Sequence, residues 1–337
     1  MSTPTHHPTP EIVFEAFNAY QRTFTLTGAI ELEVFTHIAD GATTARDIAS
    51  RANADARGMR ILCDYLTIQG FLTKNGSSYG LTPESAAFLS KRSPAYMGSI
   101  GKFLTTEAHF GHFKNIAAVV RKGGALEGEG NMEANAEVWV EFANSMVPIV
   151  MGAAMGLPPM ITKPGQPAKV LDIAAGHGMF GIQVASFNTA AKVVAVDWPN
   201  VLQVAVANAA RAGVTDRYTA LAGSAFEVDF GSGYDIVLLP NFLHHFDPPT
   251  NVKLLKKIHA AMNPGGTLAT LEFVPNDDRV TPPIPASFSM MMLASTPSGD
   301  AFTFREFDQM FREAGFGESK IQNMPNSPEQ LILTARP

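Results

Sequence analysis

"VLDIAAGHGMFG", residues 170–181, carries an apolar run into a cluster of glycines. Val170 to Ile173 suit a buried parallel strand, and the glycines suit a tight turn that opens a helix with its backbone N–H groups facing a ligand. Gly176, Gly178 and Gly181 spell G-x-G-x-x-G, a spacing compatible with a bound dinucleotide. Asp172, ahead of Gly176 and Gly178, adds a carboxylate that the dinucleotide spacing does not need.

Downstream of this stretch, apolar runs alternate with helical patterns. Strands are expected near 169–174, 192–197, 217–222, 234–239 and 266–274, with helices near 178–187, 199–212, 250–263 and 303–314. Two late strands, near 318–323 and 329–335, follow each other without a helix, so they should pair antiparallel. The result is an α/β fold, a doubly wound Rossmann-like sheet with an antiparallel edge. Upstream, "ITKPGQPAK" (161–169) reads as a proline-marked linker.

The N-terminal region reads differently. From Pro10 to Leu89 apolar residues recur at helical spacing, as in Ile12, Phe14, Phe17 and Tyr20. A helix, a turn and a second helix then lead into a hairpin at "KNGSSYG", whose Asn75-Gly76 is a tight-turn signal. That order is winged-helix-like and raises the question of DNA. Between Gly41 and Gly70 the bases Arg46, Arg51, Arg57 and Arg60 face Asp47, Asp55 and Asp64, and the wing adds only Lys74. Phosphate binding needs a basic stripe, so a packing or dimer-forming role is favoured over nucleic acid. A second helical stretch runs from Tyr96 to Met160, interrupted by "RKGGALEGEGNMEANAE" (121–137), which reads as an exposed loop. Beyond it Trp139, Phe142, Met146, Ile149 and Val150 share one helix face. Three segments result: a helical domain over 1–95, a helical connection over 96–160 and the α/β domain over 161–337.

Composition agrees with a folded protein of two domains. The chain has 337 residues, 46% apolar and 17% charged. A net charge of −6 creates no field toward nucleic acid or an anionic membrane. The single cysteine, Cys63, excludes an internal disulfide framework and reads as a buried structural thiol. "MVPIVMGAAMGLPPMI" (146–161) is too short for a bilayer and is interrupted by Pro148, Pro158 and Pro159. No secretory signal is visible in "MSTPTHHPTP", so a cytoplasmic location is expected.

Acids beside the glycine loop separate the cofactor readings. A carboxylate at Asp172 disfavours a pyrophosphate on Coulomb grounds and suits a methionine-derived cofactor bearing an ammonium and a sulfonium. Asp172 also has a plainer reading, as a strand-end carboxylate capping the next turn. Asp197 ends the second strand in "VVAVDWP" and can accept hydrogen bonds from ribose hydroxyls, a feature NAD would use equally. "YDIVLLP" is a central strand ended by Pro240, and "NPGGTLATLEF" places a tight turn before the next. Asn241 to Asp247 then lie in the ligand crevice. His244 and His245 fall there, and divergent side chains would let only one face the pocket. A neutral imidazole can take a phenolic proton, and Glu272, ending the next strand, can orient it. "DPPT" (247–250) lacks the aromatic that stacks on a flipped base, and His109 with His112 lack a third metal ligand. No metal is expected.

These residues resemble the plant-type O-methyltransferases, the caffeate and hydroxyindole group with its bacterial relatives, over nearly the whole length. "LDIAAGHG" resembles the family's D-V-G-G-G-x-G loop, with Ala174 and Ala175 replacing two glycines. "VDWPNV" is similar to F-D-L-P-x-V, and "FLHHFD" to L-H-D-W-x-D. The resemblance implies S-adenosyl-L-methionine (SAM) as cofactor, a homodimer formed by the N-terminal domain, and a small hydroxy-aromatic acceptor, as in secondary metabolism. It puts SAM on Asp172, Gly176, Gly178, Asp197, Trp198, Ser224, Ala225 and Asn241. It implies His244 as base with Glu272 as its acidic partner and His245 in place of the usual Asp. "MLASTPSGDAFT" (292–303) resembles M-L-A-x-N-P-G-G-x-E-R-T, which adds Met292 and Thr296 to an acceptor pocket with Phe142, Met146 and Ile149. The chain departs from the family at Ala301, where a second Glu is usual, at Ser224, where an adenine-side Asp is usual, and at Pro240, where a lysine is usual. Carbon methylation, a non-methylating reaction on the same fold, an NAD-linked oxidoreductase and a DNA-binding regulator are the alternatives.

Overall fold

The structure is a computed structural model that describes residues 8–126, 137–325 and 327–337. The chain divides into two compact units, Met1–Glu107 and Ala108–Pro337.

In the first unit, α1 (Glu11–Glu31) and α2 (Val34–Ala39) precede α3 (Ala45–Arg51) and α4 (Ala56–Ile68). The hairpin β1 (Leu72–Asn75) and β2 (Ser78–Leu81) follows, then α5 (Pro83–Phe88) and α6 (Gly98–Leu104). Thr44 and Asp55 start α3 and α4 by accepting the N–H of Asp47 and Gly58. Asn75 pairs with Ser78 across a turn in which Gly76 adopts a φ of 58°. Cys63 is buried with Phe35, Ile48, Met59 and Leu66, and burial first, then Asp64, pushes its thiol up to about 12. Lys74, Tyr79 and Arg60 all bond to Asp64, whose carboxyl is held down at about 2, chiefly by Lys74. Two of the cations counted above are thus engaged within the unit. Helix α1 leaves Ile12, Phe14 and Phe17 largely exposed, at 75%, 60% and 74%.

Helix α7 (Glu107–Lys114) starts at the boundary, and α8 (Ile116–Lys122), α9 (Glu137–Gly156) and α10 (Pro158–Ile161) follow in the second unit. The loop expected over 121–137 lies largely outside the described residues. Pro148 was expected to interrupt its segment but sits inside α9. The lost N–H costs a helical hydrogen bond, and the packing of Val150, Ala153, Ala154 and Leu157 into the core carries the helix through.

Then come β3 (Ala168–Ile173), α11 (Met179–Phe187), β4 (Ala191–Asp197), α12 (Pro199–Arg211), β5 (Tyr218–Ala222) and β6 (Tyr234–Pro240). The chain ends with α13 (Pro248–Ala261), β7 (Met262–Glu272), α14 (Pro283–Ser295), α15 (Phe304–Glu313), β8 (Lys320–Asn323) and β9 (Gln330–Ala335). Among the described residues the sheet order is β5-β4-β3-β6-β7-β9-β8. The first five strands are parallel, and β9 is antiparallel to both neighbours. Val170 and Leu171 feed opposite faces, one packed with residues of α9, α11 and α12, the other with α13 and α15. Burial on both faces explains the unbroken apolar runs.

Two local features differ from expectation. "NPGG" does not form a turn ahead of β7 but lies within the strand as an irregularity between the Tyr234–Met262 and Ile236–Thr267 pairs. Gly265, at a φ of 77°, permits it. Helix α14 has no counterpart among the expected elements, because "PIPASFSMMMLAS" is apolar all round and shows no polar–apolar period.

Candidate active site

The glycine loop joins β3 to α11. Gly176 and Gly178 have φ of 57° and 76°, and a Cβ at Gly178 would lie 2.6 Å from the Tyr218 hydroxyl and 2.9 Å from Ala205 Cβ. Gly181 serves close packing, since its Cβ would meet Asp172 Oδ2 at 2.7 Å. Asp172 is fully buried beneath the loop rather than at an open mouth. Its Oδ2 accepts the Gly181 N–H at 3.0 Å, in the first turn of α11, while Oδ1 has no partner in the described protein. Burial, with Asp197 adding to it against the Gly181 N–H, pushes this carboxyl up to about 7. His177 Nδ1 accepts the Met179 N–H at 3.1 Å, and burial pushes the ring down to about 4.

Asp197 ends β4 and ties the loop to the strand. Its two oxygens accept the N–H groups of Gly176 and Trp198, each at 2.7 Å. Trp198 is the N-cap position of α12. Beside it, Gly223 N–H donates to the Asp197 carbonyl, and the Ser224 hydroxyl accepts the Phe226 N–H. The Lys257 ammonium holds the carbonyls of Ala225 and Val228 at 2.9 and 2.6 Å.

The histidine loop hangs from the end of β7. Asn241 N–H donates to the Leu271 carbonyl at 2.8 Å. Glu272 Oε1 accepts the N–H groups of Phe242 and Leu243 at 3.1 and 2.9 Å, and Oε2 lies 2.5 Å from His244 Nδ1. Both side chains are buried. Asp300 N–H donates to the His244 carbonyl, and a Cβ at Gly299 would sit 2.2 Å from that oxygen. Asp247 then starts α13 by accepting the Thr250 N–H, with prolines in its first turn. "DPPT" is therefore a helix start.

The two imidazoles do not diverge. Leu243–His245 form one short 3₁₀ turn, and the rings pack with centroids 4.4 Å apart. Aromatic rings surround them: Phe288 of α14 meets His244 edge-on at 4.9 Å and stacks on Phe273 at 4.2 Å, and Trp139 meets His245 at 5.9 Å and Phe142 at 5.8 Å. Burial, then His244, pushes the His245 ring well below its ordinary range. Met292 is buried and Met146 half-buried, while Ile149 is 41% exposed. Thr296 is buried with its hydroxyl turned back to the Met292 carbonyl and accepting the Gly299 N–H. Sequence reasoning passed over Phe288, and placed Trp139 only on a helix face. An aromatic two residues before the Met290–Met292 run was the available signal.

Sheet order, glycine loop, strand-end acids and buried histidine together define a Rossmann-like methyltransferase. A model of the O-methyltransferase domain matches residues 165–317, and one of the O-methyltransferase dimerisation domain matches residues 14–91. The crystal structure of a candidate O-methyltransferase of Nostoc punctiforme is 44% identical, with a TM-score of 0.94 over 98% of this chain and 100% of that one. The 3-hydroxy-5-methyl-1-naphthoate 3-O-methyltransferase of Streptomyces sahachiroi is 28% identical over 319 residues, 94% of this chain and 92% of its own. Human N-acetylserotonin methyltransferase, solved with SAM, shares the fold at 20% identity, with a TM-score of 0.86 over 99% of each chain. The chain belongs to the O-methyltransferase family. Among the described residues no helix is long and apolar enough to cross a membrane.

Proposed function

We propose that this enzyme is a cytosolic homodimer that methylates the hydroxyl of a small, largely apolar aromatic acceptor, with SAM as methyl donor and His244 as general base. The observation that carries the reading is the buried His244–Glu272 contact at the carboxyl end of the central strands, where open α/β sheets bind ligands.

The residues present fit the cofactor. Asp172 keeps one buried oxygen without a protein partner, suited to a cationic group. Both Asp197 oxygens retain a lone pair for ribose hydroxyls. Gly176, Gly178, Trp198, Ser224, Ala225 and Asn241 supply the surrounding backbone and walls. When bound, SAM supplies an electrophilic methyl on a sulfonium. Glu272 fixes the proton of His244 on Nδ1, which leaves Nε2 to accept the proton of the acceptor hydroxyl. Phe288, Trp139 and Phe142 offer flat apolar faces, Met146 and Met292 adaptable ones, and Ile149 and Thr296 lie at the margins. His245, neutral beside His244, completes the wall. The apolar face of α1, within the dimerisation domain, is the surface a second copy would cover.

The test is incubation of the purified protein with methyl-labelled SAM and a panel of phenols, hydroxyindoles, hydroxynaphthoates and quinols, read by mass spectrometry. An oxygen-linked label that disappears in His244→Gln is expected. A label on carbon, or a His244→Gln variant as active as the parent, would sink the reading.

A further inference from the structure

The family resemblance leaves His244 one acidic partner, because Ala301 stands at the usual place of the second. A different carboxylate takes a position near the same ring. Glu329 lies just ahead of β9 and is 8% exposed. Pro240 pairs with Leu271, and Glu272 pairs with Gln330. Asn241, Glu272 and Gln330 therefore end three adjacent strands side by side, with strands about 4.8 Å apart. Glu329 Oε2 accepts the Ser327 hydroxyl at 2.7 Å, and its N–H donates back to that hydroxyl at 3.2 Å. The Asn241 side chain approaches the same carboxyl, and Glu272 and His244 act on it electrostatically. Asn241 opens the histidine loop with a left-handed φ of 53°, and its Oδ1 is buried without a partner.

Resting on the reading of His244 as base, we propose that Glu329 is a positioning residue, a second negative charge in the neighbourhood of the imidazole that also braces Asn241 at the start of the loop. Burial pushes the Glu329 carboxyl up and the Glu272 charge adds to this, while Ser327, Asn241 and His244 oppose it. The other groups around His244 are accounted for. Glu272 reaches it from β7 and His245 from its own turn. The Asp300 carboxylate is engaged by Arg279, and that of Asp247 caps α13.

The test needs no acceptor. Full-length protein labelled with ¹³C in its histidine rings is titrated by NMR, and the His244 signal is assigned by its absence from His244→Gln. Glu329→Gln removes the charge at nearly constant volume, and Glu329→Asp keeps it. A single charge about 10 Å away at an effective dielectric of about 20 moves a titration midpoint by about one pH unit. Loss of a negative charge disfavours the imidazolium, so the His244 midpoint should fall by up to that amount in Glu329→Gln and stay near the parent value in Glu329→Asp. Glu329→Met replaces Glu329→Gln if the buried amide prevents folding. Coincident midpoints in all three proteins would overturn the proposal, as would equal shifts in the Gln and Asp variants, which would mark a packing role only. Methyl transfer surviving in His244→Gln would overturn the base reading itself, so the two failures are distinguishable.

Discussion

Glu272→Gln isolates what the carboxylate does for His244. In the parent, Oε1 accepts the N–H groups of Phe242 and Leu243, and Oε2 faces His244 Nδ1 at 2.5 Å. Glutamine keeps an oxygen for the two backbone donors, so the loop stays attached. Its amide nitrogen then faces Nδ1 and turns that nitrogen into an acceptor. The ring proton moves to Nε2, the atom that takes the proton of the acceptor hydroxyl in the proposed reaction. The imidazolium formed during transfer also loses its counter-charge. Unit charges about 4 Å apart at an effective dielectric of about 20 attract by about 4 kcal/mol, or about three decades of rate. kcat/KM for the acceptor should fall about 10³-fold in Glu272→Gln, while calorimetric binding of S-adenosylhomocysteine stays at the parent value. Alanine is the wrong replacement, because it strands the buried Leu243 N–H, at about 1–3 kcal/mol, together with the half-buried Phe242 N–H. A Glu272→Gln enzyme within about tenfold of the parent, alongside an inactive His244→Gln, would refute the argument that the carboxylate sets the proton position.

Three further outcomes follow from local geometry. Gly299→Ala places a methyl against the His244 carbonyl and the Thr296 hydroxyl, at 2.2 and 2.6 Å, and should cost about 2 kcal/mol or more in urea unfolding; an unchanged midpoint would show that the turn yields freely. Ala174 adopts a φ of 53° where the family resemblance has glycine, so Ala174→Gly should raise the urea midpoint by relieving about 1 kcal/mol of strain, and a lower midpoint would contradict this. Asp172 has its folded-state carboxyl pushed up to about 7 from 3.8, first by burial and then by Asp197. Its contribution to stability is therefore full below about 3.8 and lost as pH rises through about 7. Between pH 4 and 8 the cofactor-free parent should lose stability relative to Asp172→Asn, and parallel stability–pH curves for the two proteins would reject the shift.

How much of this is legible in the letters depends on whether the deciding contact is local. The parallel strands announce themselves, since burial on both faces leaves runs such as "YDIVLLP", and helices α12, α13 and α15 show one polar side. Helix α14 is covered with apolar residues on every side, so the pattern that marks a helix is missing from it. Pro148 misleads for the complementary reason, because packing from Val150 to Leu157 outweighs the local cost. In the site, Asp172, Asp197, His244 and Glu272 can be placed from sequence because each sits at or just after a strand end. Phe288 and Glu329 arrive from segments whose position only the folded sheet defines. The packed imidazoles also depend on tertiary structure, since the turn that holds them is pinned by Glu272 from the neighbouring strand. The geometry of the candidate site is thus a property of the β6–β7 register. A slip of one residue there would turn Glu272 to the opposite face of the sheet, away from the Phe242 and Leu243 N–H groups and His244. The irregularity at "NPGG", between the Tyr234–Met262 and Ile236–Thr267 pairs, lies at the far end of the same two strands. It sets the register that brings Glu272 beside the histidine loop.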